Sequence, residues 1–533
     1  MPAFRVWAPR ARRVDVVAAG ERRPMTGAPG GWWEAPGAEP GVRYGFSLGG
    51  AELRPDPRSS SQPDGVLGLS EVVDHDAYRW NDSGWSGRPL AGSVIYELHV
   101  GTFTREGTFE AAIEKLPHLV DLGVTSVEIM PVAEFGGDRG WGYDGAALYA
   151  PHHAYGGPDG LKRLVDACHQ AGLAVLLDVV YNHLGPVGNF LAEFGPYFTE
   201  RYRTPWGAAM NFDGRGSDEV RRFVVDNALM WVRDYHLDGL RLDAVHAILD
   251  QSPVHVLEQL AAEVHAARPA ALLIAESDAN DPRLVRPSDA GGYGLDGVWS
   301  DDWHHSVHAL VTGERLGYYA DFGSVEQLAK ALRQAWVYDG VYSQNRGRTR
   351  GRSAAGVPSQ RFVIATQNHD QVGNRAAGDR LAAGLEGAAA LLLTSQFTLL
   401  LFQGQEWAAS APFLYFTDFS DRQLATAVRE GRRREFEAFG WNPDEVPDPN
   451  DPQTFERSKL DWDEIDEPAH RAMLDRYRAL LALRRRLPAF TAPVGEDVDV
   501  SIDGSGGIRF RREGVSVVVD GRDWSAEVRE DHG

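Results

Sequence analysis

Four short segments of this chain place polar side chains directly after an apolar run. They are residues 178–183 (DVVYNH), 239–246 (GLRLDAVH), 274–277 (IAES) and 368–370 (NHD). Three of these segments each contribute a candidate catalytic carboxylate, namely Asp243, Glu276 and Asp370. Retaining cleavage of a glycosidic bond needs one carboxylate as nucleophile and one carboxylic acid as proton donor, placed about 5 to 5.5 Å apart. The three carboxylates therefore predict attack on a glycosidic bond.

Asp243 and Glu276 have sequence surroundings that suit these two roles. Arg241 precedes Asp243 by two residues, and side chains two apart on a strand point to the same side. A guanidinium in that position keeps the aspartate ionised and oriented, as a nucleophile requires. Glu276 follows the apolar run 271–275, where desolvation favours the protonated form that a general acid requires.

Asp370 is then predicted to hold sugar hydroxyls and to stabilise the oxocarbenium-like transition state. Its neighbour His369, together with His183 and His246, is suited to donate hydrogen bonds to hydroxyls of the same sugar. A strand-end aspartate such as Asp178 is more often structural than catalytic when it stands alone. The ordered combination of RxDxxH, a strand-end glutamate and NHD gives the prediction its weight.

Apolar, β-branched runs alternate with amphipathic stretches from residue 93 onward. The predicted strands are 94–100, 126–130, 174–180, 239–244, 272–276, 297–300, 362–366 and 398–402. The predicted helices are 109–122, 160–171, 218–235, 254–267, 325–336 and 381–393. Apolar strands covered by helices indicate a parallel sheet, and eight strands close a (β/α)8 TIM barrel. The sequence therefore predicts this α/β fold, with Ser217 as the N-cap of the third helix.

Three domains are expected. Residues 1–90 are rich in Gly, Pro and Trp and contain short alternating runs, as in a small β-sandwich. Residues 91–485 form the barrel, with an insertion at 184–216 whose length is typical of a functional loop or small subdomain. Residues 486–533 form a short C-terminal β-domain with strands at 507–511 and 515–519, whose last residues, DWSAEVREDHG, lack an obvious closing strand.

Composition excludes several classes of function. The 533 residues include 54 Lys and Arg against 76 Asp and Glu, a net charge of −22. This balance argues against nucleic acid and favours a neutral or cationic partner; a neutral sugar fits that constraint. The single cysteine, Cys168, excludes an intrachain disulfide. The N-terminal MPAFRVWAPR lacks the apolar core of a signal peptide, and residues 388–402 are too short and too polar to span a bilayer. We expect a cytoplasmic protein with no membrane partner.

The chain resembles the α-amylase superfamily of glycoside hydrolases over residues 93 to 480. DVVYNH, GLRLDAVH, IAES and QNHD are similar to the four signature regions of that superfamily. The resemblance implies a TIM barrel in which Asp243 is the nucleophile, Glu276 the general acid/base and Asp370 the transition-state stabiliser. It also implies that Tyr143, in WGYDG, stacks on a sugar ring, since an aromatic face suits the apolar face of a pyranose.

Within that superfamily, longer segments are similar to the maltooligosyltrehalose trehalohydrolase family, which hydrolyses the α-1,4 bond next to a terminal trehalose unit. The segments include AESDANDPR, DDWHHSVH, GYYADFG, QNHDQVGNR and PFLYFTDF. The resemblance implies maltooligosyl trehalose as substrate and a pathway link to the synthase that makes it. It adds predicted substrate-binding residues in two of these segments: Asp301, Asp302, Trp303, His304, His305, Gln371 and Asn374.

Other readings stay open. A glycogen branching or debranching enzyme shares the barrel and the three carboxylates, and differs in whether water or a sugar hydroxyl attacks the intermediate. A non-catalytic sugar-binding protein predicts loss of a carboxylate, and all three are present. A metal-dependent hydrolase is disfavoured because the 17 histidines form no HExxH or comparable spacing, so no metal and no cofactor are expected. Gln403 and Gln405 stand where the family more often has methionine and glutamate, which leaves an eighth-strand contact open.

Overall fold

The computed structural model describes residues 3–438, 446–487, 498–504, 506–512 and 514–530. Eight parallel strands form a closed barrel. They are β1 (Val94–Leu98), β2 (Ser126–Ile129), β3 (Ala174–Val179), β4 (Gly239–Leu242), β5 (Leu272–Ala275), β6 (Gly297–Trp299), β7 (Phe362–Ala365) and β8 (Thr398–Phe402). Each neighbours the next along the chain, and β8 pairs with β1. The predicted TIM barrel is confirmed, and each predicted strand is present within two residues of its expected end.

Alternate strand residues fill the barrel interior. The buried apolar cluster there is separate from the main core that joins strands to helices, and it includes Ile95, Leu176, Ile274, Trp299 and Leu400. Because side chains two apart share a face of a strand, Asp178 and Glu276 continue the inner faces of β3 and β5. Asp178 is also the register partner of Arg241 on β4. The strand ends therefore direct these polar groups to one place above the apolar cluster.

Helices cover the outside of the barrel. The longer ones are Leu116–Leu122, Gly157–Gln170, Ser217–Asp234, Val256–Ala267, Asp301–Thr312, Val325–Gln334, Leu385–Leu393, Arg422–Ala438 and Pro468–Arg486. Shorter ones are Val100–Phe103, Phe109–Ile113, Leu191–Phe194, His369–Gly373 and Pro452–Arg457. Cys168 is buried on one of them. No helix in the described ranges combines the length and apolar character needed to cross a bilayer.

Two helix predictions needed correction. The predicted helix 109–122 is two helices, because Pro117 stands in the first turn of Leu116–Leu122, where its missing N–H interrupts a continuous ladder. Ser217 is the first helical residue rather than the N-cap. The cap is Gly216, whose φ of 80° is a left-handed conformation that glycine adopts at low cost, and no side chain caps the helix.

Antiparallel sheets precede the barrel. The first contains Ala3–Trp7, Trp32–Pro36 and Thr26–Ala28, and the second contains Glu21–Pro24, Val14–Ala18, Arg43–Leu48 and Ser70–Glu71. Buried residues of both sheets, including Phe4, Val16 and Phe46, belong to one core. This arrangement agrees with the predicted N-terminal β-domain.

A four-stranded sheet follows the barrel: Asp499–Ile502, Ile508–Arg512, Val515–Val519 and Ala526–Glu530, each antiparallel to the next. The expectation that the chain end lacks a closing strand was wrong. Ala526–Glu530 is an edge strand with exposed Glu and Arg side chains, so its apolar signal is confined to Ala526 and Val528. The domain limits at residues 90 and 485 stay predictions, and residues 488–497 lie outside the described ranges.

Small hairpins extend from the carboxyl ends of the barrel strands. The predicted insertion 184–216 contains the helix Leu191–Phe194 and a hairpin of Phe198–Thr204 with Gly207–Met210. A second hairpin joins Asp339–Ser343 to Arg348–Gly351, and a third joins Ala133–Glu134 to Ala147–Pro151. In TIM barrels the loops at this end carry the active site.

Candidate active site

Arg241 links the carboxylates at the end of the barrel. Its side chain is fully buried, and Nη1 donates to Asp178 Oδ2 and to Asp243 Oδ1, each at 2.8 Å. Its Nη2 lies 3.7 Å from Glu276 Oε2. The structure therefore contains the predicted pair of Arg241 and Asp243, and it brings Asp178 and Glu276 to the same guanidinium.

Both carboxylate oxygens of Asp243 accept hydrogen bonds. Oδ1 accepts from Arg241, and Oδ2 accepts from Asn182 Nδ2 at 2.8 Å. The same amide nitrogen donates to the backbone oxygen of Asp243 at 2.8 Å. Charged and amide donors on both oxygens fix the plane of a carboxylate, so Asp243 has one defined orientation toward the cavity.

Glu276 is positioned by the backbone that follows Asp243. Ala244 has a φ of 39°, a left-handed conformation that is strained for a residue other than glycine. In this conformation its N–H donates to Glu276 Oε2 at 2.7 Å. Burial raises the pKa of Glu276 well above its usual range; Arg241 opposes the shift and Asp243 adds to it. A glutamate that retains its proton near neutral pH can act as a general acid.

Asp370 lies at the start of the helix His369–Gly373, with its side chain 40% exposed. Its Oδ1 accepts from Asn374 Nδ2 at 3.0 Å, and its Oδ2 lies 3.3 Å from His369 Nε2. Burial opposes protonation of His369, but Asp370 and Glu97 raise the pKa of that imidazole to about 9. The charged imidazole stabilises the carboxylate that faces the cavity.

The hydroxyl of Tyr143 contacts both His369 and the buried carboxylate of Asp178. Its hydroxyl donates to Asp178 Oδ2 at 2.5 Å and lies 2.7 Å from His369 Nε2. Its ring lies against the His369 ring, with centroids 5.0 Å apart. The half-buried ring borders the cavity, so Tyr143 is in a position to contact a sugar.

The site opens into a cavity of about 920 Å³. Predicted residues that line it are Asp243, Glu276, Asp370, Tyr143, His183, His246, His369 and Asn374. Aromatic side chains that also line it are Trp141, Phe198, Trp206, Tyr415, Phe416 and Phe419. Sugar pockets need this mixture of rings for apolar pyranose faces and polar groups for hydroxyls.

Three predicted substrate-binding residues are instead part of the core. Residues 302–304 lie in the first turn of Asp301–Thr312, which directs them away from the cavity. Asp302 accepts from the N–H groups of Val337 and Tyr338 at 2.6 and 2.8 Å. Trp303 is fully buried and therefore offers no ring face to a sugar. His304 is hydrogen-bonded through both ring nitrogens and buried.

The remaining predicted residues lie at the edge of the site. Asp301 Oδ1 accepts from Gln371 Nε2 at 3.3 Å, and burial, aided by Asp370, raises the pKa of Asp301 to about 7. Gln371 is buried. His305 is half-buried and stacks on Tyr318 at a centroid distance of 5.0 Å. None of these three lines the cavity in the described structure.

Gln403 and Gln405 hold the end of β8 in place. Gln403 Oε1 accepts from the N–H of His99 at 2.9 Å, and Gln405 Nε2 donates to Thr366 Oγ1 at 2.7 Å. Both glutamines are buried. At the end of β8 these two glutamines therefore make internal hydrogen bonds that support neighbouring strands. They are not part of the cavity lining.

Two parts of the cavity wall were not predicted residue by residue. Trp206, on the hairpin of the 184–216 insertion, stacks on His183 with centroids 4.4 Å apart and is 49% exposed. The unusual length of that insertion was its only signal. Leu424, Val428 and Arg432 come from the helix Arg422–Ala438 and also line the cavity, and nothing in the sequence motifs marked that helix.

Glu134, His152 and His153 are close enough to be considered as metal ligands, since their candidate atoms lie within 4.8 Å of one another. However, Ala154 N–H donates to His152 Nδ1 at 3.1 Å. A neutral imidazole that accepts at Nδ1 carries its proton on Nε2, the atom that would face the ion. Metal binding at this group would therefore cost a backbone hydrogen bond, and the residues fit an ion poorly.

Comparisons with known proteins identify the family of this chain. The family model of the alpha amylase catalytic domain matches residues 61–204. A malto-oligosyltrehalose trehalohydrolase of Rhizobium sp. (strain M-11) is 50% identical, covering 97% of this chain and 90% of the relative. One of Mycobacterium tuberculosis (strain ATCC 25618 / H37Rv) is 49% identical, covering 91% and 86%. The chain belongs to the malto-oligosyltrehalose trehalohydrolase family.

Membership of the malto-oligosyltrehalose trehalohydrolase family confirms the predicted class, a glycoside hydrolase of the alpha-amylase superfamily. A solved structure named as an alpha amylase, from Salmonella typhimurium, is 43% identical with a TM-score of 0.90 and covers 97% of this chain and 90% of that one. A 1,4-alpha-glucan branching enzyme of Thiobacillus denitrificans is 35% identical, but the match covers only 58% of this chain.

Proposed function

We propose that this chain cleaves the α-1,4-glucosidic bond next to the terminal trehalose unit of maltooligosyl trehalose and releases trehalose. The observation that carries the proposal is the guanidinium of Arg241, which joins Asp243 and Glu276 at the floor of an open, aromatic-walled cavity. The identity of 50% to a named trehalohydrolase supports the choice of substrate.

The proposed mechanism is double displacement with retention. Asp243 attacks the anomeric carbon and forms a glycosyl-enzyme ester, while Glu276 gives its proton to the leaving oxygen. The leaving trehalose departs with that proton. Glu276, now a carboxylate, takes a proton from water, and the resulting attack on the ester releases the maltooligosaccharide and restores both groups.

The environments of the two carboxylates support this division of roles. Asp243 receives a charged donor and an amide donor, which suits a group that must be ionised to attack. Glu276 receives a backbone N–H, and burial raises its pKa well above the usual range. Two carboxylates with environments this different are the expected acid and nucleophile of a glycosidase.

Asp370 is proposed to stabilise positive charge on the sugar ring as the bond breaks. Its 40% exposure gives its oxygens access to the bound sugar, and Asn374 and His369 hold them from behind. Tyr143 is proposed to stack on the same sugar, with His246 donating to a hydroxyl. The prediction that His183 also donates needs correction, because its two ring nitrogens contact Asn182 Oδ1 and the backbone oxygen of Tyr143. These groups all border the cavity that contains Glu276.

Glucan branching is the alternative, since a branching enzyme is 35% identical over part of the chain. It would use the same covalent intermediate and differ only in the acceptor. The higher identity to trehalohydrolases over 97% of the chain favours water as the acceptor. The synthase as pathway partner and the cytoplasmic location remain predictions.

Product analysis tests the proposal. Purified protein is incubated, without added metal, with maltotriosyl trehalose and separately with maltopentaose. Free trehalose from the first and little reaction with the second is the expected result, with Asp243→Ala protein as the control for contaminating activity. Branched or transferred products, or equal attack on both substrates, would assign a transferase or a general amylase instead.

A further inference from the structure

One side chain of the helix Arg422–Ala438, that of Arg432, contacts the segment that follows Asp370. Arg432 donates from Nη2 to the backbone oxygen of Gly373 at 3.0 Å and from Nη1 to Asn374 Oδ1 at 3.2 Å. Its side chain is only 13% exposed although the residue borders the cavity. The guanidinium is therefore directed inward, toward the backbone that follows Asp370.

Asn374 connects Arg432 to Asp370, because it is hydrogen-bonded to both residues. Its Nδ2 donates to Asp370 Oδ1 at 3.0 Å, while its backbone N–H donates to the backbone oxygen of Asp370 at 2.9 Å. A guanidinium has donors only, so it must face the oxygen of the carboxamide. That fixes the NH₂ of Asn374 toward the carboxylate, and Asp370 cannot rotate without losing a donor.

Two aromatic rings hold Arg432 in this position. Its guanidinium carbon lies 4.6 Å from the ring centroid of Tyr415 and 4.7 Å from that of Phe436. Glu435 Oε2 accepts from Nη1 at 3.0 Å. A planar group with stacking partners and several directed bonds is not replaced by an ammonium, so the site makes use of features that lysine lacks.

We infer that Arg432 is a positioning residue for the glycosidase reaction, acting through Asn374 to hold the carboxylate of Asp370 against the sugar in the transition state. The inference rests on the proposed function, because it assigns Asp370 the role of transition-state stabiliser. Arg432 itself need not touch the reacting atoms. The helix Arg422–Ala438 is thus a part of the catalytic support as well as a wall of the cavity.

A double-mutant cycle tests this inference. The variants are Arg432→Met, which keeps an unbranched apolar chain beside Tyr415, Asn374→Ala and the combination, assayed for trehalose release from maltotriosyl trehalose. We expect Arg432→Met to lower kcat about 10- to 100-fold with little change in KM, as a small displacement of a catalytic group does. The double variant should be no slower than Asn374→Ala alone, because both changes remove the same support.

Arg429→Met is the matched control. Arg429 lies about one turn earlier on the same helix and pairs with Asp448 at 3.2 Å, outside the cavity lining. It should keep wild-type kcat, and thermal unfolding of each variant reports whether the fold is intact. Arg432→Lys keeps the charge; it should stay at least about 5-fold slow because an ammonium cannot make both directed bonds.

Three results would overturn the inference. Multiplicative losses in the double variant would show that Arg432 does not act through Asn374, and an unchanged kcat in Arg432→Met or full activity in Arg432→Lys would show that the contact is only structural. If Arg432→Met does not fold, the cycle is run with Arg432→Lys. Failure of the wild-type protein to release trehalose would instead count against the proposed function itself.

Discussion

The backbone N–H of Ala244 donates to Glu276 Oε2 at 2.7 Å, and Ala244 is the residue that directly follows Asp243. The peptide that follows Asp243 therefore contacts the side chain of Glu276 directly. Ala244 has a positive φ, so the chain adopts a left-handed conformation directly after the peptide that makes this contact.

The two carboxylates should respond differently to an activated substrate. A fluoride leaving group needs little protonation, so it bypasses a general acid but not a nucleophile. We expect Glu276→Ala to lose about 10²- to 10⁴-fold in kcat on maltotriosyl trehalose. On an α-maltosyl fluoride this variant should recover much of the loss in kcat/KM, which reports the first step, while kcat stays low because the attacking water lacks its general base. Release of fluoride is measured with an ion-selective electrode.

Asp243→Ala is the companion variant. It should lose at least about 10³-fold on both substrates, because no covalent intermediate can form. Circular dichroism should show an intact fold in both proteins. Near-wild-type turnover of Asp243→Ala would contradict its role as nucleophile. Recovery of this variant's activity on the α-maltosyl fluoride substrate would indicate that Asp243 is the general acid instead.

The alkaline limb of the activity profile should report Glu276. The acid must carry its proton at the start of the reaction, and burial raises its pKa well above the usual range for glutamate. Activity is therefore present below this raised pKa and is lost as the pH rises through it. The profile of kcat from pH 4 to 10 checks the sign: an alkaline limb near the ordinary value of about 4.5 would contradict a buried, protonated Glu276.

Asp178→Asn should reduce stability more than it reduces catalysis. Asp178 is buried and accepts twice from Arg241, and removal of one partner of a buried ion pair costs about 3 to 5 kcal/mol. Asp243 still pairs with Arg241, so we expect the lower part of that range and a modest fall in kcat. Urea unfolding measures the free energy. A loss of kcat equal to that of Asp243→Ala would make Asp178 catalytic.

The sequence predicted that Asp243, Glu276 and Asp370 lie together at the strand ends, because strand ends were readable from apolar runs and residues two apart on a strand share a face. It could not show that Asp301 begins a helix, which turns Trp303 into the core instead of the cavity. It also could not relate Arg432 to Asn374, because no local periodicity links residues 58 positions apart. A single sequence indicates helices and strands through local periodicity. It carries little information about which side chains of different helices and strands are in contact.

Trp206 should contribute to substrate binding rather than to stability. Its ring stacks on His183 and is 49% exposed at the cavity, so one face is free to meet a pyranose. Trp206→Ala should raise KM for maltotriosyl trehalose about 5- to 10-fold, the equivalent of roughly 1 kcal/mol for an aromatic contact, and change the unfolding free energy by less than about 0.5 kcal/mol. Tyr342→Ala is the control, because Tyr342 is 58% exposed and lies outside the cavity lining. Equal KM values for both variants would mean that the hairpin of the 184–216 insertion does not contact the glucan.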